Sequence, residues 1–205
     1  AKGGDCFSFL MEYEHLEFVE ALRILAKKAG IELRTSSFQT GLSSKKEKIY
    51  ALNRLANEFY HFVLSKHPAG KRALSYLLEK RKIDQRLIDT FMLGFSPKSG
   101  NALCSYLINK KGYKKEDLIE AGLGFYRGPS PSGEAGSGQA SVLDFFRERI
   151  MFPLFDHRNN IVGFSGRALD DSTFGGKYIN TRDTIVYHKG SMFFGLNIAK
   201  DEIKK

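Results

Sequence analysis

Apolar residues recur at helical spacing near the start of the chain. Phe18, Leu22, Leu25, Ala26 and Ala29 share one face, and Gly30 stands where a left-handed C-cap is wanted. The spacing predicts a short amphipathic helix over 17–29. From Arg34 to Lys48 the sequence turns polar, with Ser36, Ser37, Thr40, Gly41, Ser43 and Ser44, and reads as an interdomain tether with too little apolar matter to pack. A second helical block begins near Ile49. Leu52, Leu55, Phe59 and Phe62 form its stripe, while Asn53, Arg54, Asn57 and Glu58 lie off it. His67-Pro68-Ala69-Gly70 breaks the block. Further helices are marked by Leu74, Leu77 and Leu78, then by Leu87, Ile88 and Phe91 behind Asp84 as N-cap. Leu103, Leu107 and Ile108 mark another, and Leu118 and Ile119 a short last one before Gly122.

The pattern changes after residues 128–141, a low-complexity Gly/Ser/Pro stretch that reads as a mobile surface loop. Ile150-Met151-Phe152-Pro153-Leu154-Phe155 and Ile161-Val162-Gly163-Phe164 are short apolar runs flanking Asp156-His157-Arg158-Asn159-Asn160, which predicts a β-hairpin. Helices first and an antiparallel element later make the fold class α+β.

Composition adds three constraints. With 205 residues, the chain can bury one sizeable core plus a small appendage. It has no apolar run of about eighteen residues for a membrane span and no signal-peptide layout, so no membrane partner is expected. It opens on Ala1 rather than Met, which leads us to expect that the true N-terminus is missing. Cys6 and Cys104, far apart and without C-x-x-C spacing, suit a reducing cytoplasm and read as two small buried hydrophobes.

The net charge of +9 is local: residues 66–115 hold twelve Lys/Arg against three Asp/Glu, which supplies the whole surplus. Such an excess fits either a polyanionic partner such as nucleic acid or a solvated helical face.

The candidate chemistry lies around the hairpin. Arg147-Glu148-Arg149 leads into the first strand, Ser165-Gly166-Arg167 closes the second, and Lys177-Tyr178-Ile179-Asn180 and His188-Lys189-Gly190 follow. Cations on rigid strands, interleaved with aromatics and glycines, suit a single-stranded polynucleotide. Cations neutralise phosphates, an aromatic face stacks on a base, and glycine lets the backbone approach. The alternative is structural, with Arg147 and Arg149 paired to Glu148 or Asp144.

The order R-E-R-[IV]-M-F-P-[IL]-x-D, G-F-x-G-R, K-Y-x-N, H-K-G, then Phe194-Gly195-Leu196, resembles bacterial replicative DNA primases of the DnaG type just before their TOPRIM domain. Gly3-Gly4-Asp5, Phe7-Ser8-Phe9-Leu10-Met11-Glu12 and Ala29-Gly30-Ile31 resemble the sequence after that family's last zinc cysteine, and Leu93-Gly94-Phe95-Ser96-Pro97 its first core segment. The resemblance implies three parts. Residues 1–33 would be the helical C-terminal remnant of a zinc-binding domain, 34–48 a linker, and 49–205 the N-terminal subdomain of the RNA-polymerising core. It implies that Arg167, Lys177 and Lys189 hold template or nucleotide, with Tyr178 beside them, Arg147 on the wall and Arg149 among the nucleic-acid- or NTP-binding residues. The parent would then synthesise RNA primers by attack of a ribonucleotide 3′-hydroxyl on an incoming NTP. Its expected partners are single-stranded DNA, NTPs, the RNA–DNA primer duplex, and a replicative helicase reached through a C-terminal domain. A cytoplasmic site at the replisome and a monomeric fragment are expected.

The same resemblance implies zinc and magnesium (or manganese) in the parent but no metal ligands and no catalytic acids in this chain. The zinc motifs would lie upstream, and the E-G-Y-x-D motif just beyond Lys205. Cys6 falls at a position that is usually small and apolar, and His15 reads as a surface or packing residue. Phe145 stands where an arginine is common, and Asp170-Asp171 and Asp201-Glu202 read as solvated. Two other readings share these motifs: a phage or organellar primase-helicase, and a non-catalytic module that binds single-stranded nucleic acid. A zinc module draws much of its folding free energy from its metal. Residues 7–29 should therefore pack poorly or survive as a helix pair, and their amides should exchange fast. Strong protection in hydrogen exchange would contradict that.

Overall fold

The computed structural model describes residues 3–14, 18–31, 37–128, 141–170 and 175–203. The 129–140 part of the low-complexity stretch, His15 and Asp171 lie outside the described residues, as do the side chains of Asp201 and Glu202. The chain divides into two units, Ala1–Lys45 and Lys46–Lys205.

In the first unit, helix α1 spans Cys6–Glu14 and helix α2 spans Phe18–Ala29. Asp5 starts α1 by accepting from the Ser8 amide at 2.8 Å, and Gly30, at φ +68°, ends α2 as the sequence predicts. Helix α1 buries no side chain, while α2 buries Ala21 and Ala26. Phe7 and Phe18 rings meet at 5.6 Å. Cys6 is exposed, so the expectation of two buried thiols fails at this one.

Helix α3 spans Ser37–Lys66. The predicted tether is therefore helical from Ser37 onward: serines and lysines are poor core formers but tolerate a helix whose later turns are firmly packed. The stripe also differs. The buried face of α3 is Ile49, Leu52, Asn53, Ala56, Asn57, Tyr60, Val63 and Leu64, while Phe62 is 55% exposed. Asn53 enters the core because its carboxamide donates to the Ile161 carbonyl at 3.0 Å.

A 3-10 turn at Pro68–Gly70 leads to α4 (Lys71–Ser75), a π-helical turn at Tyr76–Lys80, and α5 (Gln85–Thr90). Asp84 caps α5 as predicted, accepting from the Leu87 amide at 2.7 Å. Strand β1 is Gly94–Ser96, and helices α6 (Ala102–Asn109) and α7 (Lys115–Glu120) follow. Strands β2 (Gly124–Arg127) and β3 (Ser141–Asp144) pair as a two-stranded ribbon. The predicted hairpin is β4 (Arg149–Phe155) and β5 (Ile161–Ala168), with Asp156 accepting from the Arg158 and Asn160 amides in its turn. Strand β6 (Tyr178–Asn180), a 3-10 turn at Lys189–Ser191 and α8 (Leu196–Ile203) complete the described chain. The main sheet is antiparallel in the order β1-β4-β5-β6. The α+β expectation holds.

Cross-strand partners share a face, so the register assigns the sheet's two sides. Gly94, Met151, Gly166 and Ile179 form one row, and Met151 joins a core with Tyr60, Leu103, Leu107, Leu118, Phe146 and Phe164. A Cβ on Gly94 would stand 2.5 Å from the Tyr60 Cβ, so α3 presses directly on this side. Phe95 and Ile150 lie on the other side, beneath Ala73, Leu77 and Ile88.

Asp144, at the end of β3, ties the two-stranded ribbon to α6. Its buried carboxylate accepts from the amides of Leu103 (3.1 Å) and Cys104 (2.8 Å), satisfying orphan donors of the helix N-terminus. Burial raises its pKa, and those amide bonds oppose the rise. Asp144→Ala should strand both donors and destabilise the chain by about 2–4 kcal/mol in urea unfolding, with Asp144→Asn costing less. Burial also pushes the Cys104 thiol above the usual range. A disulfide-exchange reagent should thus modify one thiol per native chain, Cys6, and reach the second only in denaturant. Two fast thiols would place Cys104 at the surface.

Candidate nucleic-acid interface

The helical cover over the second sheet face stops short of β6. Phe152, Leu154, Ser165, Tyr178, Asn180, Tyr187, Lys189, Met192 and Phe194 line the depression of about 410 Å³ that remains. Its floor follows from the pleat: Phe152, Ser165 and Asn180 form one cross-strand row, and Ile150, Arg167 and Tyr178 the next. Tyr178 is 54% exposed at its rim. Tyr187 is buried, and burial raises its phenol pKa, with Asp183 adding to the rise.

Strand alternation sorts the predicted cations. Arg167 faces this side, its guanidinium 4.9 Å from the centre of the Tyr76 ring and donating to the Ala168 carbonyl at 3.0 Å. Lys177 is exposed immediately before β6, and its carbonyl accepts from the Ala168 amide at 2.8 Å. Lys189 is exposed in its 3-10 turn, its amide donating to Asp183 at 3.3 Å. Asp183 also pairs with His188 at 2.7 Å. Tyr178 and Lys189 thus line the depression, Arg167 lies in the same cross-strand row as Tyr178, and Lys177 is the neighbour of Tyr178 in the chain.

Arg147 and Arg149 do not belong to that group. Arg147 sits over the Phe125 ring of β2 at 5.7 Å and is not among the lining residues. Arg149 is 1% exposed, on the sheet face packed against the core, and donates to the carbonyls of Gly166 (3.1 Å) and Gly176 (2.9 Å). Burial lowers its pKa. Its assignment to nucleic-acid or NTP binding is corrected, because the odd positions of β4 point away from the depression. Asp144 is occupied by the α6 amides, and Phe145, in place of an arginine, carries the Arg182 guanidinium at 5.1 Å. Asp170, read as solvated, pairs with Arg72 at 2.7 Å.

Sequence reading missed Tyr76, which lies in no motif, and did not single out Phe152, Ser165 and Asn180. Phe152 and Ser165 were accessible from period-two counting along the hairpin strands, whereas Asn180 lies in a strand too short to count along. Among the described residues no group of three or more His, Cys, Asp or Glu could hold a metal ion. Among the described residues no helix is long and apolar enough to cross a membrane.

A family profile described as DNA primase catalytic core, N-terminal domain, matches residues 59–200. The chain belongs to this family. A DNA primase of Borreliella burgdorferi is 36% identical over 212 residues, covering 99% of this chain and 37% of the relative. The chain spans about a third of the length of the curated relatives it matches. Among solved structures, a DnaG primase catalytic domain bound to ssDNA is similar at TM-score 0.65 and 30% identity, covering 80% of this chain and 46% of that one. The Aquifex aeolicus primase, zinc-binding and RNA polymerase domains, is similar at 0.61 and 30%, covering 99% of this chain and 45% of that one. The family's core segment thus contains both the depression and its cations.

Proposed function

We propose that this chain is part of a DNA primase and supplies the basic groove that holds template and nucleotide during RNA primer synthesis. The observation that carries this reading is an open sheet face on which Tyr178 and Lys189 line a depression and Arg167 shares a cross-strand row with Tyr178, with Lys177 exposed next to Tyr178 in the chain. A polynucleotide is a line of phosphates with flat bases, and this surface offers cations beside an aromatic rim. The similarity to a primase domain bound to ssDNA supports it.

In the reaction, a primer 3′-hydroxyl attacks the α-phosphate of an incoming NTP and pyrophosphate leaves. The residues of this chain act there by charge and placement. Arg167 keeps guanidinium donors free beyond its bond to Ala168, and Lys177 and Lys189 neutralise phosphates from either side. None is asked to move a proton. The acidic metal ligands, the zinc motifs and the helicase contact are assigned to other parts of a longer cytoplasmic parent. Residues 1–33 are assigned to its zinc-binding domain, 49–205 to the polymerising core.

The test is equilibrium binding of a single-stranded oligonucleotide to the chain over a range of salt. Arg167→Ala, Lys177→Ala and Lys189→Ala should each weaken binding regardless of sequence. Each lost phosphate contact should flatten the slope of log K against log salt by about 0.7. If the triple variant binds as tightly as the parent chain at low salt, the groove is wrong, and the basic 66–115 surface takes its place.

A further inference from the structure

Arg149 is a cation in a core, and burying a guanidinium carries a heavy desolvation penalty unless its hydrogen bonds are well met. Its surroundings are shaped to admit it. A Cβ on Gly166 would come within 3.1 Å of the Arg149 Cδ and 2.7 Å of Phe146, so glycine is what leaves the slot open. Beyond β5, Gly175 turns at φ +94°, and a Cβ there would stand 3.2 Å from Arg149 Nη2. The next residue, Gly176, puts its carbonyl on Arg149 Nη1 at 2.9 Å. Lys177 and Tyr178 follow directly.

We propose that Arg149 is a positioning residue that ties the start of β6 to β5, thereby fixing the backbone that carries Lys177 and Tyr178. One planar group bonds the carbonyl of Gly166 in β5 and that of Gly176 ahead of β6. Strand β6 is only three residues long and pairs with β5 through three positions, so it has little hold of its own. The Ala168 amide bonded to the Lys177 carbonyl extends that pairing, and Arg149 grips one residue earlier. Both bonds leave one nitrogen, Nη1, and a lysine side chain ends one atom short of it, so its ammonium would stand back from both carbonyls. Methionine would fill the slot with no directional bond at all.

The inference rests on the groove reading for its effect on binding, but the tether itself is measurable without it. Arg149→Lys and Arg149→Met should each lower oligonucleotide affinity on the order of tenfold. The same substitutions should have less than about a twofold effect in a Lys177→Ala/Tyr178→Ala background, because they act through those two side chains. Full additivity in that cycle would overturn the proposal. Hydrogen exchange of the 175–181 segment should accelerate in both variants, while the β4 segment 150–155 stays as protected as in the parent.

If Lys177→Ala/Tyr178→Ala binds like the parent, the groove reading fails, and exchange at 175–181 alone decides whether Arg149 is the tether. Unchanged exchange there would refute it. Should the lysine and methionine variants fail to fold, Arg149→Gln provides the same test, because it keeps a polar donor in the slot but is too short to reach both carbonyls. It should speed exchange at 175–181 and weaken binding, and unaltered exchange and affinity would count against the tether.

Discussion

Strand β4 is hydrogen-bonded on both edges, to β1 and β5, and packed on both faces. That constraint governs the rest of the second unit. A strand in this position has no neutral side, so a one-residue slip would send Met151 to the half-open face and Phe152 into the core against α3. Phe146, Tyr60 and Phe164 meet edge to face behind it, at 5.5 Å between Tyr60 and Phe164 and 6.3 Å between Phe146 and Phe164. With that side filled by rings, the other side takes the helical cover and, where the cover ends, the groove.

The same alternation explains why arginines of similar sequence context meet different fates. Arg167 lies over Tyr76 on the half-open face, and Arg149 lies within the packed one. Arg147 and Arg182 rest on half-buried phenylalanine rings. A guanidinium over an aromatic face loses little hydration and keeps its edge donors for another partner. One sunk among backbone carbonyls has spent its donors inside the fold. Charge alone does not separate these cases; strand parity does.

Much of this was legible in the sequence. The β4–β5 hairpin could be read from two apolar runs and a turn-rich spacer, and the Asp84 cap from one carboxylate ahead of an apolar stripe. Motif order drew attention to Tyr178 and Lys189, which line the depression, and to Arg167 in the row of Tyr178. What was not legible depended on partners distant in sequence. Asn53 looks solvated until the Ile161 carbonyl is brought to α3. The three-residue strands β1 and β6 are too short to show periodicity and exist because β4 and β5 template them. Arg149 was misread because it was taken as part of a motif rather than counted along its strand.

Asn53 has a consequence for how α3 sits. An all-apolar helix on a sheet can rotate or slide by a residue, about 1.5 Å of travel, with only gradual loss of contact. A carboxamide bonded to one carbonyl of β5 permits a single setting. Asn53 thus acts as a keyway, indexing the long helix to the first residue of β5. The reading frame of the sheet and the azimuth of α3 are fixed together, and a chain with leucine at 53 would keep its grease but lose its indexing.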